Sequence, residues 1–283
     1  MPDTTDAGPR TLWHYTDFRG LQGILEGKLW ASSVAFLNDT REFQYALDVM
    51  KELLTEDADE GEASRYEPQG PLGDVIHGSL LGYDGADVYV SSFSENKDDL
   101  SQWRAYGGGG GPAVAIGFNY SRLKLIASGN GCELYRVEYD REIVEAECRN
   151  ILHSLAARAG QSPPATTNPE LFRAVSFTAH VVGPLFSLAA RSKDASFQGE
   201  KEWRLVWRGR KPKSGVLFRQ SRSLIVPYVE IPITTANVAS VFDGVVVGPT
   251  PHPQKLLYAV ERMVQAKGLS VQVESSSVPF RNW

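Results

Sequence analysis

Residues 11–33 read TLWHYTDFRGLQGILEGKLWASS, and the order of elements in this stretch decides how the chain folds. Leu12 to Tyr15 is an apolar run that predicts a short buried strand. Thr16 or Asp17 is placed to cap a helix. Leu21, Ile24 and Leu25 give that helix one apolar stripe, and Gly27 supplies its stop. KLWASS then reads as a second strand. The strand-to-helix junction therefore carries His14, Tyr15 and Thr16 beside the free N–H groups of a helix start, an environment suited to a polar or anionic ligand. The same residues also serve a purely structural junction, with Thr16 as the cap and His14 and Tyr15 packed through satisfied hydrogen bonds. Both readings stand on the tripeptide alone.

Downstream, FLNDTREFQYALDVMKELL places Asp39 three residues before Glu42, a capping-box spacing. Phe43, Ala46, Leu47, Met50, Leu53 and Leu54 continue a helical stripe after it. TEDADEGEASRYEPQGPLG is acidic and broken by Pro and Gly, and reads as a loop. DVYVSSFSE returns to strand, NKDDLSQWRAYG to a short helix or turn ending at Gly107, and GGGGGPAVAIGF to a glycine loop feeding a strand. CELYRVEYD is a further strand and REIVEAECRNILHSLAARA an amphipathic helix, followed by helical LFRAVSFTAHVVGPLFSLAA. EKEWRLVWR, SLIVPYVEIPI and VASVFDGVVVGP are strand-like; the helix PQKLLYAVERMVQAKG and the strand LSVQVESSSVPF follow. Strands toward both ends with helices between them predict an α+β fold around a mixed sheet. The expected organisation is a flexible tail at 1–10 and a single domain over 11–283, with a helical sub-lobe at about 140–195.

Three clusters could carry chemistry besides the opening junction. In SSFS, strand alternation sets Ser92 and Ser94 on one face and Ser91 and Phe93 on the other. In DDLSQWRAY, a helix would put Leu100, Trp103 and Arg104 on one side, with Tyr106 near the stop; an aromatic ring and a guanidinium together suit a base and a phosphate. In EKEWRLVWR, Trp203, Leu205 and Trp207 form a buried face, leaving Glu202 and Arg204 to face water or a cleft. Each has a bland counterpart: a hairpin loop for the glycines, a core position for Trp103, a cross-strand ion pair for Glu202 and Arg204. The run Arg204, Arg208, Arg210, Lys211, Lys213, Arg219 and Arg222 contains no acidic residue and is either a solvated hairpin or a phosphate or nucleic-acid patch.

Composition narrows the classes. A net charge of -5 excludes a generic nucleic-acid binder, and 42% hydrophobic residues can bury a sizeable core. No apolar run approaches the roughly 20 residues of a membrane span, and no signal-peptide pattern opens the sequence. Cys132 and Cys148 form no disulfide framework and suit a cytoplasmic location. Cys148 and His153 lack the partners of a zinc set, so no metal is expected.

LWHYTDFRGLQGILEGKLWASSVAFLNDTREF, SSFSENKDDLSQWRAYGGGGGPAVAIGF and EKEWRLVW, with a late VVVGP and a terminal SSSVPFR, together resemble a widespread bacterial family of unknown function. That family in turn resembles the ADP-ribosyltransferase-like superfamily, whose members split a nicotinamide-dinucleotide pocket over a His- or Arg-ended first strand, a Ser- or Tyr-bearing strand and a later Glu. The resemblance implies a split mixed sheet with a helical insertion and NAD as the substrate. It implies His14 at a ribose or the nicotinamide, Thr16 and the following helix near the phosphates, Ser92 and Ser94 on the middle strand, and Glu202 as the catalytic carboxylate. From their chemistry alone, Arg104 is a candidate phosphate ligand, and Tyr15 or Trp103 a candidate base-stacking ring. No tyrosine stands where the His-Tyr-Glu subclass has one, and Tyr106 is the nearest candidate.

The expected reaction breaks the ribose–nicotinamide bond through an oxocarbenium-like transition state, with Glu202 stabilising the developing charge. The acceptor would be a protein, a nucleic acid or water, as in a bacterial toxin or antiphage effector, with a neutralising partner protein conceivable. The rival expectation is a catalytically inactive module of the same fold that binds a nucleotide or a partner. A metal-dependent nuclease would need a carboxylate cluster or His pair that the sequence does not show. Catalysis requires His14, Ser92 and Glu202 to line one cleft.

Overall fold

The computed structural model describes residues 8–37, 40–59, 88–107, 113–159, 183–208, 215–221, 224–233 and 241–280. The fold is α+β, with a mixed, mostly antiparallel sheet and several helices. The chain divides into two units, each compact: Met1–Ser32, Tyr89–Arg136 and Gly199–Trp283 form the first, Ser33–Val88 and Val137–Gln198 the second. The asparagine and aspartate at 38–39, glycines 108–111 and the basic residues at 210, 211, 213 and 222 lie outside the described residues, as do the loop SPPATTNPE and residues 171–182 of the helix expected after it.

The opening stretch forms β1 (Thr11–Asp17), α1 (Phe18–Leu25) and β2 (Lys28–Ser33). Asp17, rather than Thr16, caps α1: its Oδ1 accepts from Gly20 N at 2.9 Å. Thr16 instead packs on α1 at Gly20, where an added Cβ would stand 1.8 Å from its Oγ1. Gly27 ends the helix at φ +84°, a left-handed conformation that glycine adopts without a Cβ penalty.

The remaining strands are β3 (Val88–Ser94), β4 (Ala113–Asn119), β5 (Cys132–Arg136), β6 (Glu202–Arg208), β7 (Leu217–Gln220), β8 (Ile225–Pro232), β9 (Phe242–Val247) and β10 (Val273–Ser275). The helices after α1 are α2 (Thr40–Asp59), α3 (Leu100–Gly107), α4 (Tyr120–Gly129), α5 (Arg141–Ala159), α6 (Gly183–Ala189) and α7 (Pro253–Ala266). α2 runs past Leu54 through residues expected to be loop, while β5 stops at Arg136 and β10 keeps only three residues of its expected strand. The main path is β10-β9-β4-β1-β3-β2-β8-β7, and β6 pairs with both β3 and β5. The β9–β10 pair is parallel.

β3 thus has three partners, β1, β2 and β6. β1 runs beside β4 from Thr11 to Asp17, whereas its register with β3 consists of Trp13↔Ser94 alone. The two strands part there, and His14 is the first residue past the parting. One face of the first unit carries Leu12, Leu21, Ile24, Phe93, Trp203 and Leu205 in its main core. Trp13, Tyr15, Trp103, Ala115 and Val246 form a second cluster. In the second unit, α2, α5 and α6 pack on one another. Val144, Cys148 and Leu152 recur every fourth residue on α5, buried like Ala46, Met50 and Leu53 on α2.

Candidate functional site

His14 occupies the fork between β1 and β3. Its Nδ1 stands 2.8 Å from the carbonyl oxygen of Ser92. A carbonyl can only accept, so Nδ1 carries the proton and Nε2 is left as an acceptor. Nε2 has no hydrogen-bond partner among the described residues. Burial lowers the His14 pKa below its usual 6.5, the Ser92 bond opposes the shift, and the nearby Arg219 charge adds to it. The ring is therefore a neutral, tautomer-fixed acceptor at neutral pH.

Among the described residues of the first unit, three buried polar atoms make no hydrogen bond: Trp30 Nε1, Ser91 Oγ and Arg219 Nε. Such atoms normally find partners, since leaving one unpaired costs about 1–3 kcal/mol. Trp30 and Tyr228 hold their ring centroids 5.0 Å apart. Sequence reasoning missed Trp30, met Ser91 only as the Phe93 face of SSFS, and met Arg219 only as one cation in a run. Their signal is an absent partner, which is visible only once the strands are placed.

The other expected residues lie elsewhere. Directly opposed residues share a sheet face, so Ser94 shares the face of Trp13, and alternation turns His14 to the opposite face. Ser92 meets His14 only through its backbone carbonyl. Ser94 Oγ donates to Glu200 O at 2.6 Å and accepts from Asn96 N at 3.0 Å, which occupies it fully.

β6 runs antiparallel to β3, as the contacts at its two ends show. Glu95 N donates to Lys201 O at 3.2 Å and Trp203 Nε1 to Glu95 Oε1 at 2.9 Å, while Tyr89 meets Trp207 with ring centroids 5.7 Å apart. Trp203 and Leu205 join the main core with Phe93, so alternation turns Glu202 and Arg204 to the other face, that of Ser94. Glu202 is 6% exposed, and Arg204 grips it in a bidentate pair, Nε–Oε1 2.7 Å and Nη2–Oε2 3.0 Å. Lys201, just before it, holds φ at 45°, a region strained for a residue with a Cβ.

Tyr15 and Trp103 are core residues. Trp103 is 1% exposed, with its ring 4.7 Å from Tyr15 in an edge contact. The Tyr15 hydroxyl donates to Asn96 O at 2.8 Å and accepts from Asp99 N at 3.1 Å, and burial pushes its pKa up. Neither ring offers a face to a base. Tyr106 packs partly buried against the same cluster. Arg104 is exposed and lies over the Phe280 ring at 5.4 Å. Thr16 is occupied against Gly20, and the α1 N-terminus where phosphates were expected already holds the Asp17 carboxylate.

Asp98, also missed in sequence, is the anchor of this region. It accepts from Trp103 Nε1 at 2.6 Å, Ser276 Oγ at 2.6 Å and Ser277 N at 2.7 Å. Burial alone would raise its pKa, but the bonds from Ser276, Trp103 and Ser277 outweigh it and the net shift is downward. Much of SFSENKDDLSQW and SSSVPF is thereby explained as one structural joint. A cavity of about 250 Å³ lies beside Trp13, away from His14's face, lined by Arg10, Thr11, Lys97, Asp243 and Glu274 among others. Two pairs already occupy its rim, Lys97 with Glu274 and Thr11 Oγ1 with Asp243 at 2.6 Å. Among the described residues no group of three or more His, Cys, Asp or Glu is placed to hold a metal ion, and no helix is long and apolar enough to cross a membrane.

Residues 102–205 match the model of the DUF2971 family, which is described as a protein of unknown function. The DUF2971 segment takes in Trp103, Arg104, Glu202 and Arg204 but neither His14 nor the serines of β3. Comparison with curated proteins gives no match, and neither does comparison with solved structures.

Proposed function

We propose that this chain is a nucleotide-binding module that receives NAD at the fork between β1 and β3, without a His14–Glu202 catalytic pair. The observation that carries this reading is the neutral His14 ring, fixed through Ser92 so that Nε2 is a bare acceptor. A ribose hydroxyl is a donor of the right kind. Glu202 does not join it: both of its oxygens are engaged by Arg204. A carboxylate so held is poorly placed to accept a ribose hydroxyl or to stabilise an oxocarbenium-like centre.

Calorimetric titration with NAD tests the reading. The wild type should bind saturably. His14→Ala should weaken binding by about 1 kcal/mol, or about fivefold, as expected for one neutral hydrogen bond. Equal affinity in the two proteins, each shown by its melting curve to be folded, would remove His14 from the site.

ADP-ribosyl transfer is the second reading, in keeping with the sequence resemblance. One observation favours it: Glu202 and Ser94 share a face of the paired strands β3 and β6. Nicotinamide release from NAD that disappears in Glu202→Gln would support transfer. A protein or nucleic-acid acceptor, and a toxin or antiphage role, belong to that reading.

A further inference from the structure

We infer that Arg219, on the edge strand β7, binds the phosphate of the ligand whose ribose His14 receives; the inference extends the nucleotide-binding reading to a second chemical group. Strand pairing places Arg219 opposite Val226, Leu217 opposite Tyr228 and Ser32 opposite the same Tyr228. Arg219, Ser32, Tyr228 and Trp30 therefore share one face of β2, β8 and β7. Arg219 Nη2 donates to Ser32 Oγ at 3.0 Å, which fixes the guanidinium. Its Nε is buried and has no partner among the described residues. Among the described residues no carboxylate within this patch takes the charge, since Glu230 pairs with Lys28 at 3.1 Å.

A planar guanidinium oriented by a hydroxyl, with an unused N–H, is a preset donor for an oxyanion. The nearby indole N–H of Trp30 is also unpaired. Donors without acceptors call for an oxygen, and the charge of the guanidinium favours an anionic oxygen over a neutral carbonyl. Arg219 is near enough to His14 to bear on its protonation, so one ligand with a ribose and an adjoining diphosphate could use both.

The experiment is calorimetric titration of the full chain with inorganic pyrophosphate, NAD and adenosine, using wild type, Arg219→Met, Arg219→Lys and Ser32→Ala. The wild type should bind pyrophosphate. Arg219→Met should lose about ten- to a hundredfold in affinity for pyrophosphate and NAD, with adenosine unchanged. Arg219→Lys keeps the charge but not the fork and should fall between, as should Ser32→Ala. Melting curves guard against misfolding, and the lysine variant preserves the test if the methionine variant does not fold. The inference is overturned if pyrophosphate fails to bind the wild type, if Arg219→Met binds it unchanged, or if adenosine is lost in parallel. Pyrophosphate binding through Arg219 with no NAD binding would uphold the inference and sink the NAD reading. NAD binding that depends on His14 but not on Arg219 would do the reverse.

Discussion

Glu202 shows how one residue type at one position supports two opposite predictions. A catalytic carboxylate held ready for substrate is commonly a strained or under-paired group, and replacing it leaves stability unchanged or improved. Glu202 is instead the counter-charge of an arginine that is 1% exposed. Glu202→Gln should therefore destabilise the fold by about 3–5 kcal/mol in urea unfolding, because Arg204 would keep its charge inside without its carboxylate. An unchanged midpoint would mark Glu202 as a functional rather than a structural acid. His14 makes a prediction of another kind. Its folded pKa lies below its usual 6.5, so below that pH the unfolded chain takes up a proton first. The stability linked to His14 is full above about 6.5 and declines as pH falls toward the folded value. His14→Gln should flatten that part of a stability profile. Asp98 acts lower on the scale: its pKa is lowered from 3.8, so its contribution is present above that value and is lost as pH falls through the folded pKa. Asp98→Ala, which strands the Trp103 indole N–H, should cost about 1–3 kcal/mol in chemical unfolding. A loss below 0.5 kcal/mol, the usual range of surface changes, would show that the joint is not needed.

The elements divide into those whose periodicity was sufficient and those that depended on distant partners. β1, α1 and β2 were legible because an apolar run, a capping aspartate and a glycine at positive φ all act within a few residues of each other. The face assignment of β6 was legible too, since Trp203 and Leu205 alternate with Glu202 and Arg204. What alternation could not say is which face of β6 lies with which face of β1. That depends on Trp13↔Ser94 and on the contacts from β3 to β6, pairings between strands far apart in sequence. The site hypothesis joined His14 to Glu202 by their order in the chain, and order does not reveal that Arg204 engages both Glu202 oxygens. Asp98 was hidden for a similar reason, because Ser276 and Ser277 are 178 and 179 residues away. In the second unit the α2 and α5 stripes were readable from spacing alone, and they make a direct prediction. Met50→Ala, at a fully buried position, should cost about 2–5 kcal/mol. Glu52 and Glu145 flank Arg141 on the exposed side, where replacing either acid should cost less than about 1 kcal/mol by the same unfolding measurement.

At the scale of the whole molecule, the two families of observation point to a division of labour within the first unit. One sheet face around α3 is closed by Trp13, Tyr15 and Trp103, with Asp98 and Ser94 binding the loops on that side. The fork at His14, with Arg219 near it, keeps polar atoms for which the described residues supply no partner. Proteins tolerate such atoms where a ligand completes them, and the binding reading follows from that asymmetry. Cys132 and Cys148 are both buried, and burial pushes each thiol up to about 12, which leaves them inert as nucleophiles at neutral pH. The most direct test follows NAD binding and nicotinamide release in the same sample of the full chain. Saturable NAD binding that weakens in His14→Ala, with nicotinamide release no faster than in buffer, is the predicted result. Nicotinamide release that requires Glu202 would contradict it, as would an absence of NAD binding altogether.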